Sequence, residues 1–365
     1  MVTMKSAVLT GPGPLTIENV ELNGPVAGEV LVKISACGVC HSDLHHINRV
    51  KAAGSTPEPI ILGHEAAGVV EAVGSGVNSV KPGDHVIMAF HPTCGTCYFC
   101  RRAMPQICET PDFPERAVSG THPRLKINGV TPARQGIGVG GFSEYTCMPE
   151  GGVVKIREDA PLDTVCLIGC GVTTGIGAVT NAARVEPGSL VAVIGLGGVG
   201  LNCVQGARLA GAHRIIAIDT LDSKLEMAAA FGATDFVNAA ETDVVQTVIE
   251  MTGNRLDYAF EAIGLGVTME QAFRMVRPGG TATIVGVTDD DVTVPGRMFL
   301  GEKKLIGSLY GSASIHYMIP RLVDLYMEDK VKLDELVSKR RPLTEINEAF
   351  ADMQTGDVAR SVIQF

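Results

Sequence analysis

Four cysteines lie within a short stretch of the chain and could bind one metal ion. Cys94, Cys97, Cys100 and Cys108 have the spacing C-x2-C-x2-C-x7-C, which places four of the ten cysteines within fifteen residues. Four thiolates suit a tetrahedral zinc ion, and a site closed by protein ligands alone is typical of structural zinc. A disulfide cluster or an iron–sulfur cluster could use the same residues, and both remain alternatives here.

A second set of potential metal ligands is spread along the chain. Cys40 lies in CHSD, His64 in GHE and Cys170 in GCG. Two thiolates and one imidazole would leave a fourth zinc position open for water or substrate, as a catalytic zinc ion requires. Taken singly, Cys170 could be a small buried hydrophobic residue and His64 a hydrogen-bonded core histidine.

A glycine loop in the second half of the chain is typical of dinucleotide binding. The apolar run 190–194 predicts a buried strand that leads into GLGGVG at 195–200 and then into a helix. In such a loop Gly195 permits the tight turn, Gly197 lets the backbone approach the pyrophosphate, and Gly200 lets helix and strand pack closely. The N-terminus of the helix would offer free N–H groups to the phosphates. A glycine turn without a ligand is the alternative.

Asp219 ends the next predicted strand, 24 residues after Gly195. A carboxylate at this spacing is typical of hydrogen bonding to the adenosine ribose. Its negative charge would repel a 2′-phosphate, so the sequence favours NAD over NADP. Lys224 could add a ribose contact. A surface carboxylate at a strand end is the alternative interpretation of Asp219.

The elements that must position these residues change in character near Cys170. Before it, β-branched or alternating runs separated by Gly and Pro predict strands at 30–35, 68–73 and 84–88, and a glycine-rich stretch covers 136–141. After it, strands alternate with helices, which predicts a parallel sheet. Further strands are predicted at 214–218, 236–237, 258–261, 282–285, 305–306 and 361–365, and helices at 200–210 and 223–231.

The composition excludes several classes of protein. The 365 residues suffice for two domains, and 45% of them are hydrophobic. A formal net charge of −10 argues against nucleic acid as a partner. The chain contains no run of eighteen apolar residues, so no membrane span is predicted. The N-terminus lacks an apolar signal core. The other six cysteines are scattered among apolar residues, which favours reduced thiols and a cytoplasmic location.

Taken together, these motifs resemble those of zinc-dependent medium-chain alcohol dehydrogenases, from one end of the chain to the other. The matching segments are GVCHSD (38–43), GHEAAG (63–68), the four-cysteine segment, LIGCGVTTG (167–175), VIGLGGVG (193–200) and the closing Arg360-Ser361. The resemblance implies an α/β protein with a GroES-like, β-barrel-type catalytic domain (1–171 and 315–365) and a Rossmann domain with a doubly wound parallel sheet that binds NAD (172–314). It also implies two zinc ions per chain, one catalytic and one structural.

The resemblance assigns roles around the catalytic zinc. Cys40, His64 and Cys170 would be its ligands, and Asp43 would orient His64 through the other ring nitrogen. Glu65 could approach the metal transiently, or it could be a carboxylate in an internal ion pair.

Other residues would handle the proton and the cofactor on the same resemblance. Ser42 would accept the hydrogen bond of the substrate hydroxyl, and His45 would finish a proton relay that runs through the nicotinamide ribose. For Arg360, a structural salt bridge is the alternative to cofactor binding. The residues that would contact NAD are His41, Thr174, Gly195, Gly197, Gly198, Val199, Gly200, Asp219, Lys224 and Arg360.

The implied activity is the reversible oxidation of primary alcohols to aldehydes, by hydride transfer from a zinc-bound alkoxide to NAD. Phe90 would line the substrate pocket, which with Ser42 favours benzylic or allylic alcohols. The alternative is a thiol-dependent formaldehyde dehydrogenase. That branch uses an arginine shortly after the last cysteine of the four-cysteine segment. Here that cysteine is Cys108, and the first arginine after it is Arg116. A non-catalytic NAD-binding protein would have lost zinc ligands that this chain retains.

The segment from Cys108 to Arg134 is long, as in the dimeric branch of the family. It therefore favours a homodimer formed through the edge of the Rossmann sheet, with a tetramer as the alternative.

Overall fold

The computed structural model describes residues 1–55, 58–109, 124–355 and 359–365. The chain divides into two compact units. The first unit contains Met1–Cys170 and Ser314–Phe365, and the second contains Gly171–Ala313. Each boundary lies one residue before the one expected from the sequence.

The elements of the described residues are numbered in chain order. The strands are β1 (Val2–Leu9), β2 (Thr16–Leu22), β3 (Glu29–Gly38), β4 (Ile60–Ile61), β5 (Glu65–Val73), β6 (His85–Met88), β7 (Leu125–Ile127), β8 (Thr131–Gln135), β9 (Tyr145–Pro149), β10 (Val153–Lys155), β11 (Leu190–Ile194), β12 (Arg214–Asp219), β13 (Asp235–Asn238), β14 (Tyr258–Glu261), β15 (Thr281–Ile284), β16 (Lys304–Gly307), β17 (Val337–Pro342) and β18 (Arg360–Gln364). The α-helices are α1 (His41–Ala53), α2 (Tyr98–Arg101), α3 (Leu162–Val165), α4 (Gly171–Gly177), α5 (Gly198–Leu209), α6 (Asp222–Phe231), α7 (Val244–Thr252), α8 (Gly266–Met275), α9 (Ile315–Met327) and α10 (Ile346–Thr355).

The first unit contains a closed barrel and a second sheet. The barrel has the strand order β1-β2-β7-β8-β4, and the sheet has the order β10-β6-β5-β3-β18-β17, with β9 also paired to β3. Apolar side chains of β3 and its neighbours, such as Val30, Val32 and Ile34, form the core with residues of α1 and α10. β18 pairs antiparallel with β3, so the C-terminal segment completes this unit.

The segment predicted to be a long loop after Cys108 contains two of the barrel strands. Leu125–Ile127 pairs with β2 and with Thr131–Gln135. Residues 110–123, including Arg116, lie outside the described residues.

The second unit is built on one six-stranded sheet with helices between its strands. The strand order is β13-β12-β11-β14-β15-β16, and every neighbouring pair is parallel. β11 lies between β12 and β14, so the chain reverses its direction of winding at the end of β11. In an open parallel sheet this switch point is where ligands bind.

Among the described residues, no single helix has the length and apolar character needed to cross a bilayer. One bent pair of helical segments, Leu162–Gly169 with Gly171–Ala183, passes on length and composition alone.

Candidate active site

Four potential metal ligands meet at one end of the sheet in the first unit. The ligand atoms of Cys40, His64, Glu65 and Cys170 all lie within 4.8 Å of one another, and all four residues are buried. The strand register explains the grouping, because Gly38 at the end of β3 pairs with Glu65 at the start of β5. Cys40 follows the first of these strands and His64 precedes the second. The structure thus brings together the three predicted zinc ligands, Cys40, His64 and Cys170. Glu65, which could approach the metal transiently, lies with them.

A tight turn brings Cys170 to the same point. It follows the 3₁₀ helix Cys166–Gly169, and its N–H group lies 3.4 Å from the carbonyl oxygen of Leu167. A Cβ atom at Gly169 would lie 2.9 Å from the carbonyl oxygen of Met88. Only glycine lets this turn approach β6 so closely, and the approach sets the position of Cys170.

Asp43 orients the imidazole of His64. The Nδ1 atom of His64 lies 3.1 Å from Oδ2 and 3.2 Å from Oδ1 of Asp43. The backbone N–H group of Gly63 donates to the same carboxylate at 2.9 Å. A carboxylate that accepts the Nδ1 proton leaves Nε2 free to bind a metal, which is the role predicted for Asp43.

The electrostatics of this cluster favour a bound cation. The hydrogen bond with Cys170 lowers the pKa of Cys40 well below its usual range, although burial acts in the opposite direction. The same hydrogen bond and burial raise the pKa of Cys170. Burial alone would lower the pKa of His64, but Asp43 and Cys40 outweigh it and hold that pKa well above its usual range. Two thiols and one imidazole at this spacing fit zinc, which would replace the retained protons.

Arg360 forms a buried ion pair with Glu65. The Nε atom of Arg360 lies 3.5 Å from Oε2 of Glu65, and the two side chains are 5% and 0% exposed. Burial raises the pKa of Glu65 to about 8, and Arg360 opposes that rise. For each residue, an ion pair was one of two interpretations of the sequence, and the structure shows that pair. Contacts of Glu65 with the metal and of Arg360 with the cofactor remain predictions.

The predicted proton relay begins on helix α1. Ser42 is half-buried, and its Oγ atom lies 4.0 Å from Sγ of Cys40. His45 lies three residues further along the helix and is exposed. Residues three apart share one face of a helix, so both side chains lie on the same side of α1. His41, at the start of the helix, is exposed as well.

Phe90 lies beside the metal ligands. Its ring contacts the ring of His64 edge-on, with centroids 5.6 Å apart and an interplanar angle of 83°. The side chain is half-buried. This position agrees with a pocket-lining role, although Phe90 also packs against the core of the first unit.

The four-cysteine segment folds into a second metal site. The Sγ atoms of Cys94, Cys97, Cys100 and Cys108 lie within 4.8 Å of one another. Backbone N–H groups donate to these sulfurs, including Cys97 N–H to Sγ of Cys94 at 3.3 Å and Cys100 N–H to Sγ of Cys97 at 3.4 Å. Such bonds stabilise thiolates around a metal. All ten cysteines are described and all are free thiols, so the disulfide interpretation is wrong.

The glycine loop of the second unit leaves space for a pyrophosphate. Gly195 has φ +87°, which favours glycine. A Cβ atom at Gly200 would lie 1.7 Å from the carbonyl oxygen of Gly195, so no side chain fits there. A Cβ atom at Gly197 would meet no atom within 4 Å, so the space in front of this residue is open. Helix α5 begins at Gly198, so its free N–H groups line that space.

Asp219 is fixed at the end of β12. Its carboxylate accepts hydrogen bonds from the N–H groups of Leu196 and Thr220, both at 2.8 Å. The bond to Leu196 ties Asp219 to the glycine loop, a role that the sequence did not reveal. Lys224 is half-buried on helix α6, close to Asp219 in the chain.

Two other predicted cofactor contacts lie on packed helices of the second unit. Thr174 on α4 and Val199 on α5 are half-buried. A Cβ atom at Gly175 would lie 2.5 Å from the carbonyl oxygen of Val199, which shows how closely these helices pack.

A cavity of about 600 Å³ lies between helices α7 and α8 in the second unit. Its lining includes Ala239, Val244 and Thr268, from the loop after β13 and from helices α7 and α8. The N–H group of Ala239 donates to the main-chain oxygen of Asp219 at 2.9 Å. The sequence did not predict this cavity, because its walls come from three separate segments without a shared motif.

Fold and sites together define a two-unit oxidoreductase with two metal sites and a dinucleotide-binding sheet. Residues 26–158 match the family model described as alcohol dehydrogenase GroES-like domain, and residues 198–328 match zinc-binding dehydrogenase. The chain belongs to the zinc-dependent alcohol dehydrogenase family of medium-chain dehydrogenases. Zinc and NAD(H) are the cofactors of this family, and both metal sites carry the matching residues.

Curated relatives match over the whole chain. The class-3 alcohol dehydrogenase of Pisum sativum is 40% identical over 379 aligned residues, which cover 100% of this chain and 98% of the relative. The probable S-(hydroxymethyl)glutathione dehydrogenase 1 of Schizosaccharomyces pombe is 41% identical and covers 99% of this chain and 97% of its own length.

Among solved structures, the benzyl alcohol dehydrogenase of Acinetobacter calcoaceticus has a TM-score of 0.92 at 30% identity, with 100% of both chains covered. An alcohol dehydrogenase zinc-binding domain protein of Burkholderia ambifaria has a TM-score of 0.94 at 33% identity, with 100% of this chain and 99% of that chain covered.

Proposed function

We propose that the chain is an NAD-dependent dehydrogenase that oxidises the primary hydroxyl group of an S-hydroxymethyl thiol, the adduct of formaldehyde with a low-molecular-weight thiol. The observation that carries the proposal is the full-length match to relatives named class-3 alcohol dehydrogenase and S-(hydroxymethyl)glutathione dehydrogenase. The primary-alcohol activity predicted from the sequence becomes the second candidate.

The reaction converts R–S–CH2OH and NAD⁺ into the thioester R–S–CHO, NADH and a proton. The hydroxyl proton leaves, and the carbon transfers a hydride to the nicotinamide. Zinc held by Cys40, His64 and Cys170 would supply Lewis acidity, which favours loss of that proton at neutral pH.

The residues of α1 would handle the proton. Ser42 would accept it from the substrate hydroxyl, because its Oγ atom is close to the ligand cluster. His45, on the same face of the helix, is exposed and would pass the proton to water. Asp43 would hold His64 in one orientation throughout, since it accepts the Nδ1 proton. The buried pair of Glu65 and Arg360 would balance charge beside the ligands.

Simple primary alcohols, including benzylic and allylic ones, form the second candidate. Phe90 beside His64 offers an apolar surface for an aromatic substituent. The structural similarity to a benzyl alcohol dehydrogenase supports the same substrate class. The second candidate also agrees with the segment after Cys108, because an arginine shortly after this cysteine is expected for the thiol-dependent branch and the first arginine here is Arg116.

NADH formation by the zinc-loaded protein separates the two candidates. The panel contains formaldehyde with and without each of several thiols, and ethanol, benzyl alcohol and allyl alcohol without thiol. Turnover that needs both formaldehyde and a thiol supports the first candidate. Turnover of an alcohol without thiol, and none with the adducts, supports the second. A protein with both zinc sites filled and no turnover on any of them would contradict both.

The cavity between α7 and α8 is proposed to hold the adenine ring of NAD. A cavity of about 600 Å³ lies within the size range of small-ligand pockets. Ala239, which lines the cavity, donates its N–H group to the main-chain oxygen of Asp219, and this link to the residue that would bind the ribose supports the assignment.

Replacement of Asp219→Asn should weaken the preference for NAD over NADP. The amide keeps an oxygen that can accept the N–H of Leu196 but loses the charge that would repel a 2′-phosphate. We expect the ratio of kcat/KM for NAD to that for NADP to fall about 10- to 100-fold, the value of one hydrogen bond to a charged group. Asp222→Asn is the matched control, because Asp222 bonds Asn238 instead of the loop. An unchanged ratio in Asp219→Asn would show that Asp219 does not meet the ribose.

The homodimer remains a prediction. The edge of the sheet in the second unit supports it. β16 is the last strand in the order of that sheet. Phe299, Leu300 and Leu309 beside it are 47%, 88% and 49% exposed. A second copy could pair with this edge and cover these side chains. Light scattering that gives the mass of one chain would contradict the prediction.

A further inference from the structure

Two buried amide side chains lie on helix α5, which follows the glycine loop. Asn202 and Gln205 are 1% and 0% exposed, although asparagine and glutamine are mostly found at protein surfaces. Burial of an amide costs free energy unless its polar atoms are hydrogen-bonded. A leucine of similar size would avoid that cost, so apolar packing alone does not account for these two residues.

The two amides form a hydrogen-bonded chain that ends on the backbone of the loop. Nε2 of Gln205 donates to Oδ1 of Asn202 at 2.7 Å, and Nδ2 of Asn202 donates to the carbonyl oxygen of Gly198 at 2.6 Å. Gly198 is the first residue of α5. Its carbonyl oxygen has two lone pairs, so it can accept this bond together with the helical bond from the N–H group of Asn202.

The peptide between Gly198 and Val199 connects this chain to the open side of the loop. The peptide is planar and trans, so the carbonyl of Gly198 and the N–H group of Val199 point in opposite directions. The first backbone bond of the helix runs from the N–H group of Leu201 to the carbonyl oxygen of Gly197, at 2.9 Å. The N–H group of Val199 therefore has no acceptor within the helix, and it points toward the N-terminal end, where a Cβ atom at Gly197 would meet no atom within 4 Å.

Helix α4 covers the amides and keeps water away from them. A Cβ atom at Gly175 would lie 2.5 Å from Cβ of Asn202 and 2.5 Å from the carbonyl oxygen of Val199. No side chain fits between the two helices at this point. In such a dry environment a hydrogen bond is stronger than in water, and successive bonds in a chain polarise one another. Donation to the carbonyl of Gly198 therefore makes the N–H group of Val199 a better donor.

We propose that Asn202 and Gln205 are positioning residues that orient and polarise the peptide between Gly198 and Val199 toward the pyrophosphate of NAD. Both side chains are buried behind this peptide, so they act on the cofactor only through the backbone. A charged acceptor gains most from a stronger donor, and the pyrophosphate is the charged part of the cofactor at this loop. The inference goes beyond the proposed function, because it concerns the cofactor and holds for either class of substrate.

The double variant Asn202→Leu/Gln205→Leu tests this role, because it removes the chain without leaving a buried amide unpaired. Apolar replacement of both partners is nearly neutral for stability, so the melting temperature should stay close to that of the wild type. We expect the Kd of ADP-ribose to rise about three- to tenfold, the effect of one hydrogen bond. The Kd of adenosine, which lacks the pyrophosphate, should change less than about twofold. Calorimetric titration measures both constants without turnover.

Gln205→Leu separates binding from stability and serves as a second test if the double variant does not fold. It keeps the bond from Asn202 to Gly198 and removes only the donor behind it. The Kd of ADP-ribose should therefore rise less than in the double variant. The melting temperature should nevertheless fall further, since the buried Oδ1 atom of Asn202 loses its partner. A merely structural role would instead make affinity follow stability.

Thr252→Val is the matched control. The hydroxyl of Thr252 donates to the carbonyl oxygen of Val248, four residues earlier, at 2.7 Å, and the residue is 7% exposed. The bond has the same pattern as that of Asn202 but belongs to α7, which does not begin at the glycine loop. Its loss should leave the Kd of both ADP-ribose and adenosine unchanged.

The ratio of the two dissociation constants decides the inference. An unchanged ratio in the folded variants would overturn it, and so would a wild-type protein that does not bind ADP-ribose. A wild-type protein that binds ADP-ribose but oxidises neither thiol adducts nor alcohols would instead contradict the proposed function and leave the role of Asn202 and Gln205 standing.

Discussion

Replacement of Cys170→Ser should lower kcat/KM for the substrate by at least about 10³-fold and remove one of the two zinc ions. Cys170 lies with Cys40 and His64 in a buried cluster whose ligand atoms are within 4.8 Å of one another. A serine hydroxyl is a poor replacement for a thiolate, so the site would lose affinity for zinc. The Lewis acid contributes several kcal/mol to the transition state, and each 1.36 kcal/mol corresponds to a factor of ten in rate. Metal analysis and steady-state kinetics measure the two effects.

Cys166→Ser is the matched control for Cys170→Ser. Cys166 is also buried and lies four residues earlier, but its sulfur bonds the carbonyl oxygen of Asp163 at 3.8 Å and is not part of the cluster. Burial raises the pKa of its thiol, so it stays protonated. Retention of both zinc ions and most activity is expected. If Cys170→Ser kept full activity and metal, Cys170 would not be a ligand.

Replacement of Cys97→Ser should release the other zinc ion and lower the melting temperature by about 10 °C or more. The sulfur of Cys97 lies 3.8 Å from that of Cys108 and accepts the N–H of Cys100. The segment around it contains the short helix α2 and the 3₁₀ helix Pro105–Ile107, none of whose residues is buried, so little apolar packing would hold it without the metal. Binding of a structural zinc ion contributes directly to folding free energy, and a loss of several kcal/mol corresponds to a shift of this size.

Differential scanning calorimetry with metal analysis measures the effect of Cys97→Ser. Tyr98→Phe is the control, since Tyr98 is the next residue and is 59% exposed. It should keep both zinc ions and the wild-type melting temperature. An equal melting temperature for Cys97→Ser and wild type, with one zinc ion lost, would mean that this metal does not stabilise the fold.

The local motifs could be predicted from sequence because each acts within a short stretch of chain. The C-x2-C-x2-C-x7-C spacing brings four sulfurs together through the short helix α2 and the 3₁₀ helix Pro105–Ile107, so the grouping needs no distant partner. The glycine loop likewise depends on the backbone of a single turn, where Gly195 needs a positive φ and Gly200 needs the space beside it. The parallel sheet of the second unit follows from alternating strands and helices.

The catalytic cluster could be predicted only through resemblance, because its members are far apart in the chain. Cys40 and Cys170 are separated by most of the first unit, and no spacing rule relates them. The register of β3 against β5 and the close approach of Gly169 to β6 bring them together. Register depends on many side chains of several strands at once, so it is a property of the folded unit.

Tertiary structure alone decided how several residues are used. It paired Arg360 with Glu65 inside the first unit, tied Asp219 to the glycine loop through Leu196, and formed the cavity between α7 and α8. It also brought the glycine-rich residues 136–141 close to the main chain of Phe90 and hydrogen-bonded them to the segment before His64. The sequence shows only that this stretch is rich in glycine. The sequence determined which residues can bind zinc and a dinucleotide, since residue type and short spacing set ligand chemistry and backbone freedom. Packing between distant segments decided which of them meet and what surrounds them, because these contacts exist only once the strands have paired.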